Sequence, residues 1–217
     1  MEGSSASKYS NAISLKKGSG FNDAGEWIQT LSTALIFVVL VFAFVFRVVM
    51  VDGHSMDSTL NDRDRLLISS LFADPQNNDI VVVLTDGNNG HPIIKRVIGT
   101  EGQTVRIDYA ADTVTVTDKN GQSQTLNETY INEQDLRFKG STGFTDDDDP
   151  EITYDQLTGE VLTVTYRVPE GKYFVMGDNR NNSKDSRYDE IGYVTRSQIL
   201  GEVVLRVLPV KQFGFVG

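Results

Sequence analysis

The sequence contains no cysteine and only two histidines, His54 and His91. The absence of cysteine excludes disulfide bonds, thiol catalysis and cysteine metal sites. Two histidines are too few for a histidine-rich metal centre.

Basic residues are also in the minority, with 20 Lys and Arg against 30 Asp and Glu and a formal net charge of -10. This balance argues against nucleic-acid binding, because phosphates require basic patches. It is equally a poor surface for anionic lipids. The length of 217 residues, with 39% hydrophobic and 23% charged residues, predicts a membrane anchor plus one folded domain with a core.

One apolar run near the amino terminus is long enough to cross a membrane. Residues 31–46 read LSTALIFVVLVFAFVF without a charge, and their flanks extend the run to the roughly 20 residues that span a hydrocarbon core. Arg47 lies near the end, where an arginine can reach the headgroups, and Trp27 suits the interface. Because no small-x-small cleavage site follows, we predict a retained anchor at 27–50 and not a cleaved signal peptide.

The residues before the anchor predict its orientation. Lys8, Lys16 and Lys17 precede the apolar run, and the positive-inside rule places them in the cytoplasm. The remainder of the chain then lies outside the cytoplasm. Residues 1–26, which open with a Ser- and Gly-rich stretch, are predicted to form a disordered cytoplasmic tail.

The part after the anchor is predicted to be mainly β. Eight stretches are rich in β-branched residues and bounded by Gly, Asn or Asp: 65–69, 79–85, 92–99, 104–110, 113–117, 160–168, 172–177 and 202–210. Helical periodicity is weak, so we expect one or two short helices, one of them just after Ser55. The four aspartates at 146–149, within the acidic stretch 140–159, predict a solvated loop, since their spacing lacks the alternation of a calcium-binding EF-hand.

A serine follows the anchor closely, in the stretch GHSMDSTL at 53–60. A serine hydroxyl needs a base to become a nucleophile. His54 is the direct neighbour of Ser55, so in an extended chain its side chain points away from the serine. His91 has no obvious acid nearby to orient it. A Ser-His-Asp triad is therefore disfavoured.

A lysine in the stretch HPIIKRVIG is a second candidate base. In a strand, Ile93, Lys95 and Val97 share one face. Burial on such a face lowers the pKa of a lysine, and the neutral amine is a general base. The alternative is an edge-strand lysine that prevents aggregation, and this stretch alone favours that simpler interpretation.

The third stretch is GDNRNNSKDSR at 177–187. It is too polar for a strand, and its Asp and Asn side chains suit hydrogen bonds to the backbone. A rigid surface turn is one interpretation. The density of opposite charges indicates a more ordered loop.

These stretches, in this order behind an apolar span, resemble the type I signal peptidases of bacteria. GHSMDSTL resembles the serine box, KRVIG the lysine box and GDNRNNSKDSR the last box, while DIVVVL resembles the strand segment between the first two. The resemblance extends from the anchor to about Glu202 and is weaker at 110–160. It implies an all-β catalytic domain at 51–100 and 171–217, with an inserted variable β region at 101–170.

The resemblance also implies a serine–lysine dyad endopeptidase that removes signal peptides from exported preproteins through an acyl-enzyme, without metal or organic cofactor. Ser55 matches the nucleophile, Lys95 the general base and Ser183 the serine that orients the lysine amine. The backbone N–H of Ser55 would contribute to the oxyanion hole. Three residues match the framework of the last box, where an acid–arginine pair steadies the site: Asp178, Asp185 and Arg187.

The implied partners are preproteins and the lipid bilayer, with no nucleic acid, and the sequence carries no indication of the oligomeric state. Small, shallow pockets would select small residues in the substrate. The residues expected to line the pocket before the scissile bond are Met56, Leu60 and Ile94. Strand 80–83, through Ile80 and Val82, is expected to bind the extended substrate by strand addition. Ordinary core packing is the alternative for these residues.

Two positions depart from the family pattern. Ser58 stands where the family commonly has proline, which would fix the backbone after the nucleophile. Gly53 stands where some members carry a serine that aids the oxyanion hole. The rival function is a catalytically silent signal-peptidase-like factor for assembly of surface pili. A surface binding module or a self-cleaving repressor fits less well, because the first leaves the motifs unexplained and the second needs to bind DNA.

Overall fold

The structure is a computed structural model that describes residues 20–70, 74–85, 90–131, 136–138, 140–141 and 149–216, with side chains from Ala24 onward. The chain divides into two compact units, Met1–Ala43 and Phe44–Gly217. Residues 1–19 of the predicted tail and three of the four consecutive aspartates, 146–148, lie outside the described residues.

The apolar run forms a single helix, α1, at Gly20–Val45. Among the described residues, its segment Ala24–Val45 is the one helix long and apolar enough to cross a membrane. Its bounds differ from the predicted anchor at 27–50. The helix begins earlier, and residues 46–50 form a strand because their backbone pairs with RLLIS at 65–69.

The unit Phe44–Gly217 is mainly β, which confirms the predicted fold class. Its strands are β1 (Phe46–Met50), β2 (Arg65–Ser69), β3 (Ile80–Val83), β4 (Ile93–Gly99), β5 (Thr104–Asp108), β6 (Thr113–Thr117), β7 (Ser123–Thr125), β8 (Glu151–Tyr154), β9 (Val161–Arg167), β10 (Lys172–Met176), β11 (Val194–Thr195), β12 (Ile199–Leu208) and β13 (Gly214–Phe215). Within the described part of this unit, three short 3₁₀ helices lie at Arg180–Asn182, Arg196–Gln198 and Val210–Gln212.

The described strands form two antiparallel sheets. The first has eight strands in the order β1-β2-β12-β3-β4-β10-β11, with β13 paired to β12. The second has five strands in the order β7-β6-β5-β9-β8. The second sheet is built entirely from residues 104–167, and the first sheet from residues on either side of them.

Alternation of side chains explains how the sheets bury their cores. In TVTVT of β6, Val114 and Val116 are buried while the threonines are partly exposed, as the period of two in a strand requires. Val114 and Val116 share one core with Ile98 and Phe174 of the first sheet. The two sheets therefore pack together within one folded unit.

The short strands and the turn after Ser55 were not predicted correctly. The sequence predicts a helix after Ser55, and the structure shows a turn there, in which the Asp57 N–H donates to the His54 carbonyl at 3.3 Å and the Leu60 N–H to the Met56 carbonyl at 2.9 Å. The strands β1, β7, β8, β11 and β13 were missed. They are short, and they form because a neighbouring strand offers paired backbone groups.

Candidate active site

The first feature of the site is a direct contact between the serine and the lysine singled out in the sequence. Lys95 lies in the middle of β4, and its Nζ donates hydrogen bonds to Ser55 Oγ at 2.7 Å and to the Ile94 carbonyl at 3.0 Å. β4 pairs with β3 on one side and β10 on the other. The edge-strand interpretation of Lys95 is therefore wrong.

Burial changes the acid–base chemistry of this amine. Lys95 is 2% exposed. Its burial lowers the pKa of Lys95 to about 8; Asp185 and Asp178 act in the opposite direction, and Arg187 acts in the same direction as burial. A substantial fraction of the amine is neutral near pH 8, so it can accept a proton.

Backbone contacts hold the turn that carries Ser55. Gly53 has a φ of +100°, a left-handed conformation that suits glycine, and its N–H donates to Asp62 Oδ1 at 3.0 Å. The Asn179 N–H donates to the Ser55 carbonyl at 3.0 Å, and Asn179 Nδ2 donates to the His54 carbonyl at 2.9 Å. The polar loop 177–187 is therefore attached directly to the turn.

The His54 side chain takes no part in the contact between Ser55 and Lys95. Its Nδ1 lies 3.0 Å from Asp57 Oδ2 on the surface, and 63% of its side chain is exposed. This placement keeps the His54 ring out of a Ser-His-Asp triad, as the sequence predicts.

The predicted acid–arginine pair forms inside the polar loop. Arg187 Nε and Nη2 donate to the two carboxylate oxygens of Asp185 at 2.8 and 2.9 Å, and both side chains are buried. Burial would raise the pKa of Asp185, but the Arg187 guanidinium outweighs it and holds this pKa below its ordinary value. Asp185 Oδ2 also accepts the Gly177 N–H at 3.0 Å, which ties the pair to the start of the loop.

Asp178 has a different partner, Arg96, which the sequence analysis did not assign. Arg96 Nε and Nη2 donate to its two oxygens at 2.9 and 2.8 Å, and Thr59 Oγ1 donates to Oδ2 at 2.5 Å. Arg96 follows Lys95 directly in β4 and is 2% exposed. The available signal was a second basic residue in a strand that is too apolar to lie at the surface.

Ser183 does not make the hydrogen bond to Lys95 that the resemblance implies. Its side chain is buried, and its hydroxyl acts on the Asp185 carboxylate, whose pKa it helps to lower. It packs against Gly177, where an added Cβ would overlap both Ser183 Oγ and the Ser55 carbonyl oxygen. The Lys95 amine is oriented instead by Ser55 Oγ and the Ile94 carbonyl.

A small cavity of about 100 Å³ opens beside Ser55. It is lined by Met50, Val51, Asp52, Ser55, Met56, His91, Pro92, Ile93, Ile94 and Lys95. Of the residues predicted to contact substrate, Met56 and Ile94 lie on this cavity. The other three, Leu60, Ile80 and Val82, are at most 2% exposed and pack in a core cluster. This agrees with the alternative interpretation of these residues as ordinary core.

Strand addition to β3 is excluded by the sheet order. β3 pairs with β4 along one edge and with β12 along the other. An extended peptide therefore finds no free backbone groups there. The prediction was wrong because the partners of β3 lie elsewhere in the chain and leave no trace in its own sequence.

A second group of residues, which the sequence analysis missed entirely, reaches the site from the loop after β7. Arg180 is fully buried, and its guanidinium binds both carboxylate oxygens of Glu128, one of them at 2.8 Å. The carbonyl of Tyr130 accepts a hydrogen bond from Ser58 Oγ at 2.8 Å. These partners come from the region predicted to be a variable insertion.

Comparison with known proteins agrees with the motifs. A family model described as signal peptidase, peptidase S26, matches residues 24–208. Signal peptidase I of Bacillus licheniformis is 34% identical over 183 residues, 83% of this chain and 86% of that protein. Signal peptidase IB of Staphylococcus aureus strain MRSA252 is 30% identical over 206 residues, 88% of this chain and 92% of that protein.

A crystal structure of a signal peptidase I from Enterococcus faecalis V583 is 28% identical and covers 60% of this chain and 97% of that chain, with a TM-score of 0.39. The family match covers the turn of Ser55, the strand of Lys95 and the polar loop of Asp185. It confirms the resemblance seen in the sequence. The chain belongs to the signal peptidase family, peptidase S26.

Proposed function

We propose that this chain is a membrane-anchored serine endopeptidase that removes signal peptides from exported preproteins, with Ser55 as nucleophile and Lys95 as general base. The observation that carries the proposal is the 2.7 Å contact between Lys95 Nζ and Ser55 Oγ. It lies inside the residues matched to the family, whose relatives above are named signal peptidases.

The geometry supports a two-step reaction. The neutral amine of Lys95 takes the hydroxyl proton of Ser55 as Oγ attacks the carbonyl carbon of the scissile bond. The Lys95 ammonium then gives that proton to the leaving amine, and the signal peptide remains as an ester on Ser55. In the second step Lys95 deprotonates a water that attacks the ester, which releases the signal peptide and restores both side chains.

The developing negative charge on the substrate oxygen needs a donor. The backbone N–H of Ser55 donates to no group in the described part of the chain. Its neighbouring carbonyl is fixed by Asn179. We assign the Ser55 N–H as one oxyanion donor, because a preorganised N–H is effective where charge appears in the transition state.

Ion pairing explains how a lysine close to two carboxylates keeps a low pKa. The carboxylates of Asp185 and Asp178 would each favour the ammonium form. Each is bound by its own guanidinium, Arg187 or Arg96. Because each carboxylate charge is opposed by a guanidinium charge, desolvation remains the largest influence on the pKa of Lys95.

The cavity beside Ser55 supports selection of a small side chain. Its volume of about 100 Å³ and its Met56 and Ile94 walls suit an alanine-sized, apolar group. Its two sides are formed by residues 50–52 and 91–95. We propose that the substrate lies between these two segments, since β3 has no free edge.

The helix supports attachment to a membrane. Ala24–Val45 has the length and composition of a span, and its last residue is ten positions before Ser55. Signal peptides are themselves apolar and reside in the membrane, so a shared membrane raises the effective concentration of enzyme and substrate. We propose a cytoplasmic amino terminus and a catalytic unit on the opposite side.

The proposal is tested with a preprotein that carries an alanine-x-alanine cleavage site. Detergent-solubilised full-length protein is expected to cut once, directly after the second alanine, as read by mass spectrometry of the products. The same preprotein with phenylalanine at that position is expected to remain intact, because the cavity cannot hold the ring. Cleavage of both preproteins, or of neither, contradicts the proposal.

The pH dependence of cleavage follows from the pKa of Lys95, which is lowered to about 8. The protonated amine cannot act as base, so kcat/KM is expected to rise about tenfold per pH unit below pH 8 and to level above it. Initial rates between pH 6 and 10 at constant ionic strength measure this. A profile that is flat, or that falls as pH rises toward 8, would exclude Lys95 as the base.

Gly177→Ala is expected to lower cleavage by at least about 100-fold, because the added methyl group displaces the Ser55 carbonyl or the Ser183 side chain. Overpacking is expected to reduce the free energy of unfolding by about 1–3 kcal/mol. Gly214→Ala is the matched control, since a Cβ there meets nothing within 4 Å. Wild-type cleavage by Gly177→Ala would show that the close approach has no role.

A further inference from the structure

Residues Glu128–Tyr130, named here the 128–130 brace, contact the site at three points although they lie outside all three motifs. They follow β7, the edge strand of the second sheet. The Ser55 turn, β4 and the polar loop all belong to, or flank, the strands of the first sheet. The brace therefore joins a loop of one sheet to the segments of the other sheet that carry the reacting residues.

The first contact is made by the turn itself. Ser58 Oγ donates to the Tyr130 carbonyl at 2.8 Å. Ser58 lies three residues after Ser55, on the exposed side of the turn, and its hydroxyl points to the Tyr130 carbonyl. It joins the two segments across 72 residues of sequence.

The second contact is made by β4. The Arg96 guanidinium carbon lies 4.0 Å from the centroid of the Tyr130 ring, within the range of a cation–π interaction. Arg96 follows Lys95 in β4, and their side chains point to opposite faces of the strand, so the ring holds the strand that carries the proposed general base from its other face. The same guanidinium binds Asp178, and Asp178 accepts from Thr59, the residue after Ser58. The contacts therefore connect Ser58 to Thr59 through Tyr130, Arg96 and Asp178, and they surround the turn.

The third contact anchors the brace to the polar loop. Glu128 binds the buried Arg180 guanidinium with both carboxylate oxygens and accepts from the Tyr130 hydroxyl at 3.0 Å. Arg180 Nε in turn donates to the Gly177 carbonyl at 3.1 Å. The brace is thereby fixed at one end while it holds Ser58 and Arg96 at the other.

We propose that the 128–130 brace positions the Ser55 turn against Lys95, with Tyr130 and Ser58 as its positioning residues. The inference deepens, and rests on, the proposed peptidase function. None of Ser58, Glu128 and Tyr130 lines the cavity beside Ser55. Loss of the brace therefore changes the alignment of nucleophile and base and leaves substrate contacts intact.

Ser58→Ala tests the hydrogen bond between the turn and the Tyr130 carbonyl. It is expected to lower kcat about 10-fold, with KM within twofold, because a small misplacement of the nucleophile is costly while the cavity is unchanged. Ser58→Thr keeps a hydroxyl and is expected to restore most of kcat. Ser123→Ala is the matched control, since it removes an exposed serine hydrogen bond to Thr117 on the second sheet.

Tyr130→Leu tests the contact with β4. It is expected to lower kcat about 10-fold, with KM within twofold, because the ring no longer packs on Arg96. Tyr154→Leu, at an exposed tyrosine of β8, is the control for loss of a ring. Both changes weaken the same brace. The loss of kcat in the double variant Ser58→Ala/Tyr130→Leu is therefore expected to be much smaller than the product of the two single losses.

A direct readout of Lys95 makes the test independent of cleavage. In full-length protein with ¹³Cε-labelled lysine, the Lys95 resonance, assigned by its absence in Lys95→Met, reports the titration of the amine. Loosening the turn admits water to this buried group, so its pKa is expected to rise in Ser58→Ala and in Tyr130→Leu but in neither control.

The outcomes separate the two proposals. If wild type cleaves preprotein while kcat and the Lys95 titration of both variants equal those of their controls, the brace is overturned and the peptidase function stands. If wild type cleaves nothing but the titration shifts as expected, the brace stands and the peptidase function fails. A rise in KM with unchanged kcat would instead make the brace a substrate-binding element and overturn its positioning role.

Discussion

Replacing Lys95 with methionine, or Ser55 with alanine, lowers preprotein cleavage by about 10⁴-fold or more, the magnitude expected when one member of a nucleophile–base pair is removed. The reason is the hydrogen bond between Lys95 Nζ and Ser55 Oγ, which makes Lys95 the proposed base, while the His54 ring faces Asp57 at the surface. Methionine preserves the shape of the lysine stem, so the fold is expected to persist. Single-turnover cleavage with excess enzyme measures the loss.

Two comparisons make this result specific. Lys184→Met removes a half-exposed lysine of the polar loop, which pairs with Glu190 at 3.2 Å, and is expected to cleave at the wild-type rate. Ser55→Ala/Lys95→Met is expected to be no worse than either single variant, because the two residues act as one unit. Near-normal cleavage by Lys95→Met would remove the dyad from the mechanism. Binding of preprotein without cleavage by wild type would favour the silent pilus-assembly factor.

Replacing Arg187 with methionine lowers the free energy of unfolding by about 3–5 kcal/mol, the usual consequence of removing one partner from a buried ion pair. Asp185 is fully buried, and Arg187 supplies two of its hydrogen bonds. Without the guanidinium, a carboxylate would remain in the interior with little compensation. Denaturant unfolding of the full-length protein in detergent, compared with wild type, measures the change.

The pH dependence of this variant has a predictable sign. In the wild type the pKa of Asp185 is held low, so its contribution to stability is present above the ordinary carboxyl pKa and is lost as the pH falls. In Arg187→Met, burial raises the pKa of Asp185, so protonation in the folded state stabilises the variant as the pH falls. The deficit relative to wild type is therefore expected to shrink toward acidic pH.

A surface pair supplies the control for that experiment. Arg167 lies 3.1 Å from Glu151, with both side chains more than half exposed. Arg167→Met is expected to change stability by less than about 1 kcal/mol, as exposed pairs contribute little. Asp185→Leu/Arg187→Met is expected to recover part of the loss, since no charge is left buried. Equal losses for Arg187→Met and Arg167→Met would contradict the importance of the buried pair.

The sequence by itself determined the elements whose pattern is local. The uninterrupted apolar run specifies a helix because nothing within it offers a polar face. TVTVT specifies a strand because its alternation matches the two faces of a sheet. The motifs also predicted that Ser55 and Lys95 act together, and their catalytic roles stay predictions until cleavage is measured.

Only the tertiary structure decided which distant groups meet. Asp178 pairs with Arg96 across 82 residues, and Glu128 with Arg180 across 52. Such pairs are set by sheet order and register, which depend on partners that no single stretch contains. The residues 46–50 illustrate the same limit, since they continue the apolar run but form β1 where β2 is available to pair.

Burial decided the rest, because it sums contributions from the whole unit. HPIIKRVIG alone is compatible with an edge-strand lysine, yet β3 and β10 flank β4 and leave Lys95 2% exposed. In the same way, β4 and β12 pair with both edges of β3, and core packing buries Leu60 away from the cavity. Sequence thus determined which chemical groups and local elements are present, whereas close packing of distant segments decided their partners, their exposure and the acidity of the proposed base.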